Sequence, residues 1–95
     1  MLRFAAALLI LACAGSHAAD AARQDGLVGV CISCHGAAGI AGSEEIPSLA
    51  GQNEAFLYET LKDFKEGNRP SAQMRVIARD LSDAELRELA RHFSL

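Results

Sequence analysis

The sequence predicts an all-α fold, on three observations. Residues 81–95 carry a capping box followed by one apolar stripe at helical spacing. Residues 54–66 stand between an N-cap asparagine and a glycine. No stretch alternates apolar and polar residues with period two, so no strand is expected.

The elements follow in order. Arg3, the almost wholly apolar run Phe4 to Ala12, and the small residues Ser16 and Ala18 have the order of a secretory signal. They predict a signal peptide over 1–18, cleaved after Ala18, and one domain over 19–95. The apolar run is shorter than the roughly 20 residues a bilayer span needs. Leu11-Ala12-Cys13 also resembles a weak lipoprotein box, so a lipid anchor at Cys13 is a lesser alternative, as is a buried core helix. Export implies a periplasmic location with no membrane span.

Asp20 to Ser33 reads as a helix, weakened by Gly26 and Gly29 at about 1 kcal/mol each relative to alanine. Glycines there suit a close approach by another helix or a flat cofactor. Gly36 to Gly51 reads as loop. Asn53 caps a helix over Glu54–Glu66 that ends at Gly67, with Leu57, Leu61 and Phe64 on one face. Asn68 to Gln73 reads as a loop leading to Met74. In the last helix Ser82 and Glu85 form the capping box, Leu81 and Leu86 a hydrophobic staple, and Leu86, Leu89, Ala90 and Phe93 the stripe.

The net charge is −3, and losing Arg3 with the signal makes the domain more acidic. No basic patch is evident, so nucleic acid is not expected as a partner. The chain has no tryptophan and few aromatics. A domain so short needs a staple or a cofactor to complete its core.

Cys31-Ile32-Ser33-Cys34-His35 has the C-x-x-C-H spacing of c-type haem attachment. Two thiols three residues apart at a helix end can add to the two vinyl groups of one haem, and the next imidazole then lies beneath the iron. A disulfide is the first alternative in an exported chain. A thioredoxin-like dithiol lacks its βαβ context. A zinc site wants four ligands, and residues 19–95 hold two cysteines and two histidines in all.

A low-spin electron carrier needs a sixth ligand. Met74 is the one methionine left once the signal is removed, and it reads as lying in a polar loop off any apolar stripe. Thioether ligation raises the potential. Met74 as ordinary packing is the bland reading, and His92, Lys62 and Lys65 are weaker competitors as ligands.

Beyond these residues the chain resembles class I c-type cytochromes, in particular the monohaem cytochrome subunit of flavocytochrome c sulfide dehydrogenase and related small diheme cytochrome domains. The resemblance rests on CISCHG (Cys31 to Gly36), IPSLAGQ (Ile46 to Gln52), FKEG (Phe64 to Gly67), Met74 with Ile77-Ala78, and LSDAEL (Leu81 to Leu86). It implies the class I cytochrome c fold around one covalent haem c. It further implies His35 and Met74 as axial ligands, and Pro47 as the carbonyl that fixes the His35 tautomer. Leu27 would meet the Leu89-to-Phe93 face where first and last helices cross; His92 stands where the family often has tyrosine. Arg69 and the Tyr58 hydroxyl stay open between a haem propionate and, respectively, a solvated charge and core packing.

The function implied is single-electron transfer without substrate chemistry, so not an enzyme. The resemblance favours a subunit taking electrons from a flavoprotein that oxidises sulfide. A free periplasmic shuttle is the alternative, and a haem sensor or small peroxidase a third. The small, mostly uncharged residues at 36–41 and 70–73 suggest an apolar, salt-resistant partner contact.

Overall fold

A computed structural model describes residues 21–95. The expected signal peptide over 1–18, its cleavage after Ala18 and the lipid-anchor alternative at Cys13 lie outside the described residues. Four helices are seen: α1 over 21–35, α2 at Glu54–Glu66, α3 at Ala72–Ala78 and α4 at Asp83–Ser94, with no strand among the described residues. The all-α expectation holds.

Local chemistry accounts for each boundary. α1 runs two residues past its predicted end at Ser33 and carries the whole of Cys31 to His35. It stops at Gly36, whose N–H donates to the Ile32 carbonyl at 3.0 Å and whose φ is +98°. A side chain is not tolerated there, since an added Cβ would lie 1.9 Å from the Ile40 oxygen. α2 begins as predicted, the Asn53 side chain accepting from Phe56 N–H at 3.0 Å. Its end is a Schellman motif: Gly67 N–H donates to Phe64 O and Asn68 N–H to Asp63 O.

α4 has the full capping box. Glu85 N–H donates to Ser82 Oγ at 3.1 Å, and Ser82 N–H to Glu85 Oε1 at 2.9 Å. The staple residues Leu81 and Leu86 are both buried, and so is the whole predicted stripe of Leu86, Leu89, Ala90 and Phe93.

One sequence expectation is corrected. Met74 is the third residue of α3 and not part of a polar loop. Ser71 supplies the N-cap, its Oγ accepting from Met74 N–H at 3.2 Å, and Ala72, Gln73, Met74 and Arg75 are all good helix formers. Met74, Ile77 and Ala78 line the inner side of this short helix, Ala78 fully buried and the other two half-buried.

The core is small. Leu57, Leu81, Leu86, Leu89, Ala90 and Phe93 form its buried cluster, and Leu27, Val28, Cys31 and Ile32 of α1 pack against it. Leu86 and Leu89 are each 1% exposed, worth about 1.5–3 kcal/mol apiece. α2 packs against both α3 and α4. Gly51 N–H donates to the Phe93 carbonyl at 2.9 Å, tying the loop after α1 to the last turn of α4.

Candidate functional site

The C-x-x-C-H motif occupies the last turn of α1, so its side chains fan out from one helix end. Cys31 is half-buried against the core cluster, Cys34 is exposed, and both thiols are free. Burial pushes the Cys31 thiol up from its ordinary value. The disulfide alternative is therefore not what the structure holds. Nor, among the described residues, do three or more His, Cys, Asp or Glu side chains gather as a zinc site would require.

His35 is the one buried polar or charged residue among those described, at 8% exposure. Its Nδ1 lies 2.7 Å from the Pro47 carbonyl oxygen. A carbonyl can only accept, so Nδ1 carries a hydrogen, and in the neutral ring Nε2 then keeps a free lone pair. That is the tautomer an iron ligand requires.

The loop that delivers Pro47 is knit by its own backbone. Leu49 N–H and Ala50 N–H both donate to the Gly39 carbonyl, at 2.7 and 3.0 Å, and Gly39 N–H donates to Gly36 O at 2.8 Å. Ala41 N–H reaches Ser48 Oγ at 2.9 Å, and Gln52 Nε2 donates to Ser48 O. Segments 36–41 and 47–52 thus form one clasp around His35.

The remaining sequence candidates fall as follows. Met74 is half-buried on α3. His92 is exposed on α4, its ring edge-on to Phe93 at 4.9 Å, as expected of a flank residue. Lys65 donates to the Leu81 carbonyl, a structural tie between α2 and the start of α4. Arg69 places its guanidinium 5.3 Å from the centroid of the Phe64 ring. Tyr58 packs against the core while its hydroxyl donates to Asp83 Oδ1, and the Arg87 guanidinium lies 4.2 Å above its ring. That shared hydrogen bond pushes the Tyr58 hydroxyl up and the Asp83 carboxyl down from their ordinary values.

Sequence reasoning missed two linkages. Arg23 on α1 pairs with Glu85 on α4 at 2.5 Å, holding the Glu85 carboxyl down to about 2, aided by the Ser82 backbone N–H. Tyr58 joins α2 to the Asp83–Arg87 pair of α4. Only the i,i+4 spacing of Asp83 and Arg87 signalled either in advance.

The sequence comparisons agree with this geometry. No family model matches the chain. It is 39% identical over 89 residues to cytochrome c4 of Pseudomonas aeruginosa, covering 92% of this chain and 44% of that protein. It is 32% identical over 80 residues to cytochrome c-554(548) of Halomonas halodenitrificans, covering 81% of this chain and 96% of that protein. The chain belongs to the class I c-type cytochromes. A protein of Stutzerimonas stutzeri named thiosulfate dehydrogenase electron acceptor is 37% identical over 67 residues, which are 67% of this chain and 31% of that protein. The chain spans about half the length of the cytochrome c4 relatives it matches.

As a c-type cytochrome it carries covalent haem c. The residues fit the group: two free thiols and an imidazole with a bare Nε2 share one helix end. Val30 and Ile40 flank that end, and Val76 adjoins the Met74 helix turn; each keeps half or more of its apolar surface exposed. No helix among the described residues is long and apolar enough to cross a membrane.

Proposed function

We propose that this cytochrome is a one-electron carrier of the periplasm, receiving electrons from a dehydrogenase of reduced sulfur compounds and passing them on. Cys31 and Cys34 tether the haem, His35 and Met74 ligate its iron, and Pro47 orients His35. The observation that carries this reading is the 2.7 Å contact of His35 Nδ1 with Pro47 O, directly after the second cysteine. The bound haem supplies the one-electron couple. The protein's part is to keep the imidazole in one tautomer and to hold Met74 on a capped helix turn. Burial of His35 keeps water from its ring. The names of two relatives, both thiosulfate dehydrogenase electron acceptors, support the substrate class of the donor.

Expression with a c-type maturation system tests the site. Haem should remain with the wild-type polypeptide on a denaturing gel, and Cys31→Ser with Cys34→Ser should abolish that staining. Haem extracted from the wild type by acid acetone would sink the covalent assignment.

A second reading makes the chain a stable subunit of a flavoprotein that oxidises sulfide. The IPSLAGQ and FKEG segments favour it by resemblance. Affinity purification of the tagged holoprotein from its own cells separates the two. A flavin chain at one-to-one stoichiometry supports the subunit; a haem protein alone that a thiosulfate-oxidising enzyme reduces supports the carrier.

A further inference from the structure

Charge is unevenly spread along this acidic chain. Residues 62–80, the segment that includes α3 and Met74, carry five cations against three anions. The other described residues carry three cations against eight anions. The composition gave no hint of a basic patch, because the excess is local and the total is negative.

The arginines also differ in how their donors are engaged. Arg23, Arg87 and Arg91 each lie within 4.0 Å of a carboxylate from another turn or another helix. Arg69 and Arg75 reach no carboxylate among the described residues, and Arg79 meets only its neighbour Asp80, at 3.6 Å. Yet neither Arg69 nor Arg75 is unsupported. Arg69 lies over the Phe64 ring, and Arg75 rests against Gly67, where an added Cβ would sit 3.1 Å from Nη1. Both exposed guanidiniums are thus steadied against the last turn of α2, their N–H groups directed to no acceptor among the described residues. Around them Asp63, Glu66 and Asp80 are the acidic groups of the same segment, and Glu66 accepts from Asn68 at 3.3 Å.

A planar guanidinium held in place with its donors unspent is suited to carboxylates arriving from outside. We propose that Arg69 and Arg75, with Arg79 beside them, form the docking surface on the Met74 side for an acidic patch on the redox partner protein. The proposal rests on the electron-carrier reading above. It makes the encounter steered and salt-sensitive, in place of the salt-resistant apolar contact that the small residues at 36–41 and 70–73 suggested.

Small charged oxidants read the sign of the exit site. The ferrous holoprotein is mixed with hexacyanoferrate(III), an anion, over a range of ionic strength. A molecule this acidic that exposed its average surface would repel this probe, and the rate would rise with salt. An arginine-flanked exit should give the opposite sign, the rate falling about threefold or more between low and near-physiological salt. Poly-L-glutamate, standing in for the acidic partner, should slow the reaction at low salt. Arg69→Gln with Arg75→Gln should reverse the salt dependence and remove the polyglutamate effect, while the reduction potential and the melting temperature stay put.

A wild-type rate that rises with salt overturns the proposal. So does a double variant whose potential shifts while its salt dependence stays, because the arginines then serve the haem propionates. A variant that only melts lower assigns them to α2 and equally overturns it. Absence of electron exchange at every ionic strength would instead fail the carrier reading, and the proposal with it.

Discussion

The two sides of the proposed haem site are built differently. On the His35 side, the turn after α1 is closed by backbone bonds from Gly36, Gly39, Leu49 and Ala50, and Pro47 is delivered to the imidazole by a loop that cannot shift alone. On the Met74 side, a helix of seven residues is capped by Ser71, which accepts Met74 N–H at Oγ and Arg75 N–H at its carbonyl, and rests on α2. The first side is closed by a web of loop backbone bonds, and the second is held by one cap and by packing on α2. If the haem is held as proposed, His35 should be the ligand that stays and Met74 the one that exchanges.

Breaking the rigid side should have the largest effect. Gly36→Ala puts a Cβ 1.9 Å from Ile40 O and demands a left-handed backbone of alanine, a cost of about 3 kcal/mol or more. The expected outcome is little holoprotein, and a sharply lowered melting point for what does assemble. A near-normal melt would mean that the clasp yields and the contrast is false.

Met74→Ala removes the proposed sixth ligand on the other side while leaving the clasp intact. The ferric protein should lose the weak red absorption of methionine-ligated haem, the ferrous protein should bind carbon monoxide, and the potential should fall. His35 should stay in place, seen as an unchanged imidazole signature by magnetic resonance. An unaltered spectrum would move the sixth ligand elsewhere, with His92 next to be substituted. Rapid carbon monoxide binding by the wild type would favour a sensor or peroxidase.

Ser71→Ala sharpens the comparison without touching either ligand. Loss of the cap should cost about 1 kcal/mol. It should raise the rate of carbon monoxide entry while the amides of Gly39, Leu49 and Ala50 keep their protection from hydrogen exchange. Protection lost on both sides together would show that the two are one cooperative unit.

The smallest effect concerns the link between α1 and α4. The carboxyl of Glu85 is held down to about 2, first by Arg23, so the native state binds this proton more weakly than the unfolded chain does. Its contribution is therefore complete above the ordinary carboxylate value near 4.5 and fades as pH falls from there towards 2. Glu85→Gln should melt slightly lower than wild type at neutral pH, and the gap should close across that acid window. A gap independent of pH would assign the loss to the capping box alone.

Sequence legibility followed the same divide between local and distant causes. α2 and α4 could be read because their signals lie within a few residues: Asn53 and Gly67, Ser82 and Glu85, and a stripe long enough to show its period. α3 was missed because Met74, Ile77 and Ala78 make a single turn, too short for periodicity to register. Ser71 following Pro70 was the signal that would have found it. The thiols and His35 were plain from spacing. Pro47 was accessible only through family resemblance, since a backbone carbonyl leaves no side-chain mark in a sequence. Arg69 was singled out by itself, but its grouping with Arg75 and Arg79 escaped because total charge averages over a surface that the fold divides.

The packing of Cys31 against the α4 cluster also has a meaning in time. On the expected export the chain emerges N-terminus first, so residues 31–35 are free before residues 83–94 and the motif exists for a while with no apolar wall to lie against. During that interval the thiol is as open to chemistry as its exposed neighbour. Once α4 docks and Phe93 accepts the Gly51 N–H, the same thiol is half enclosed. On the proposed haem attachment, tethering is easier before closure than after it, and the last helix is the bolt that narrows access to Cys31.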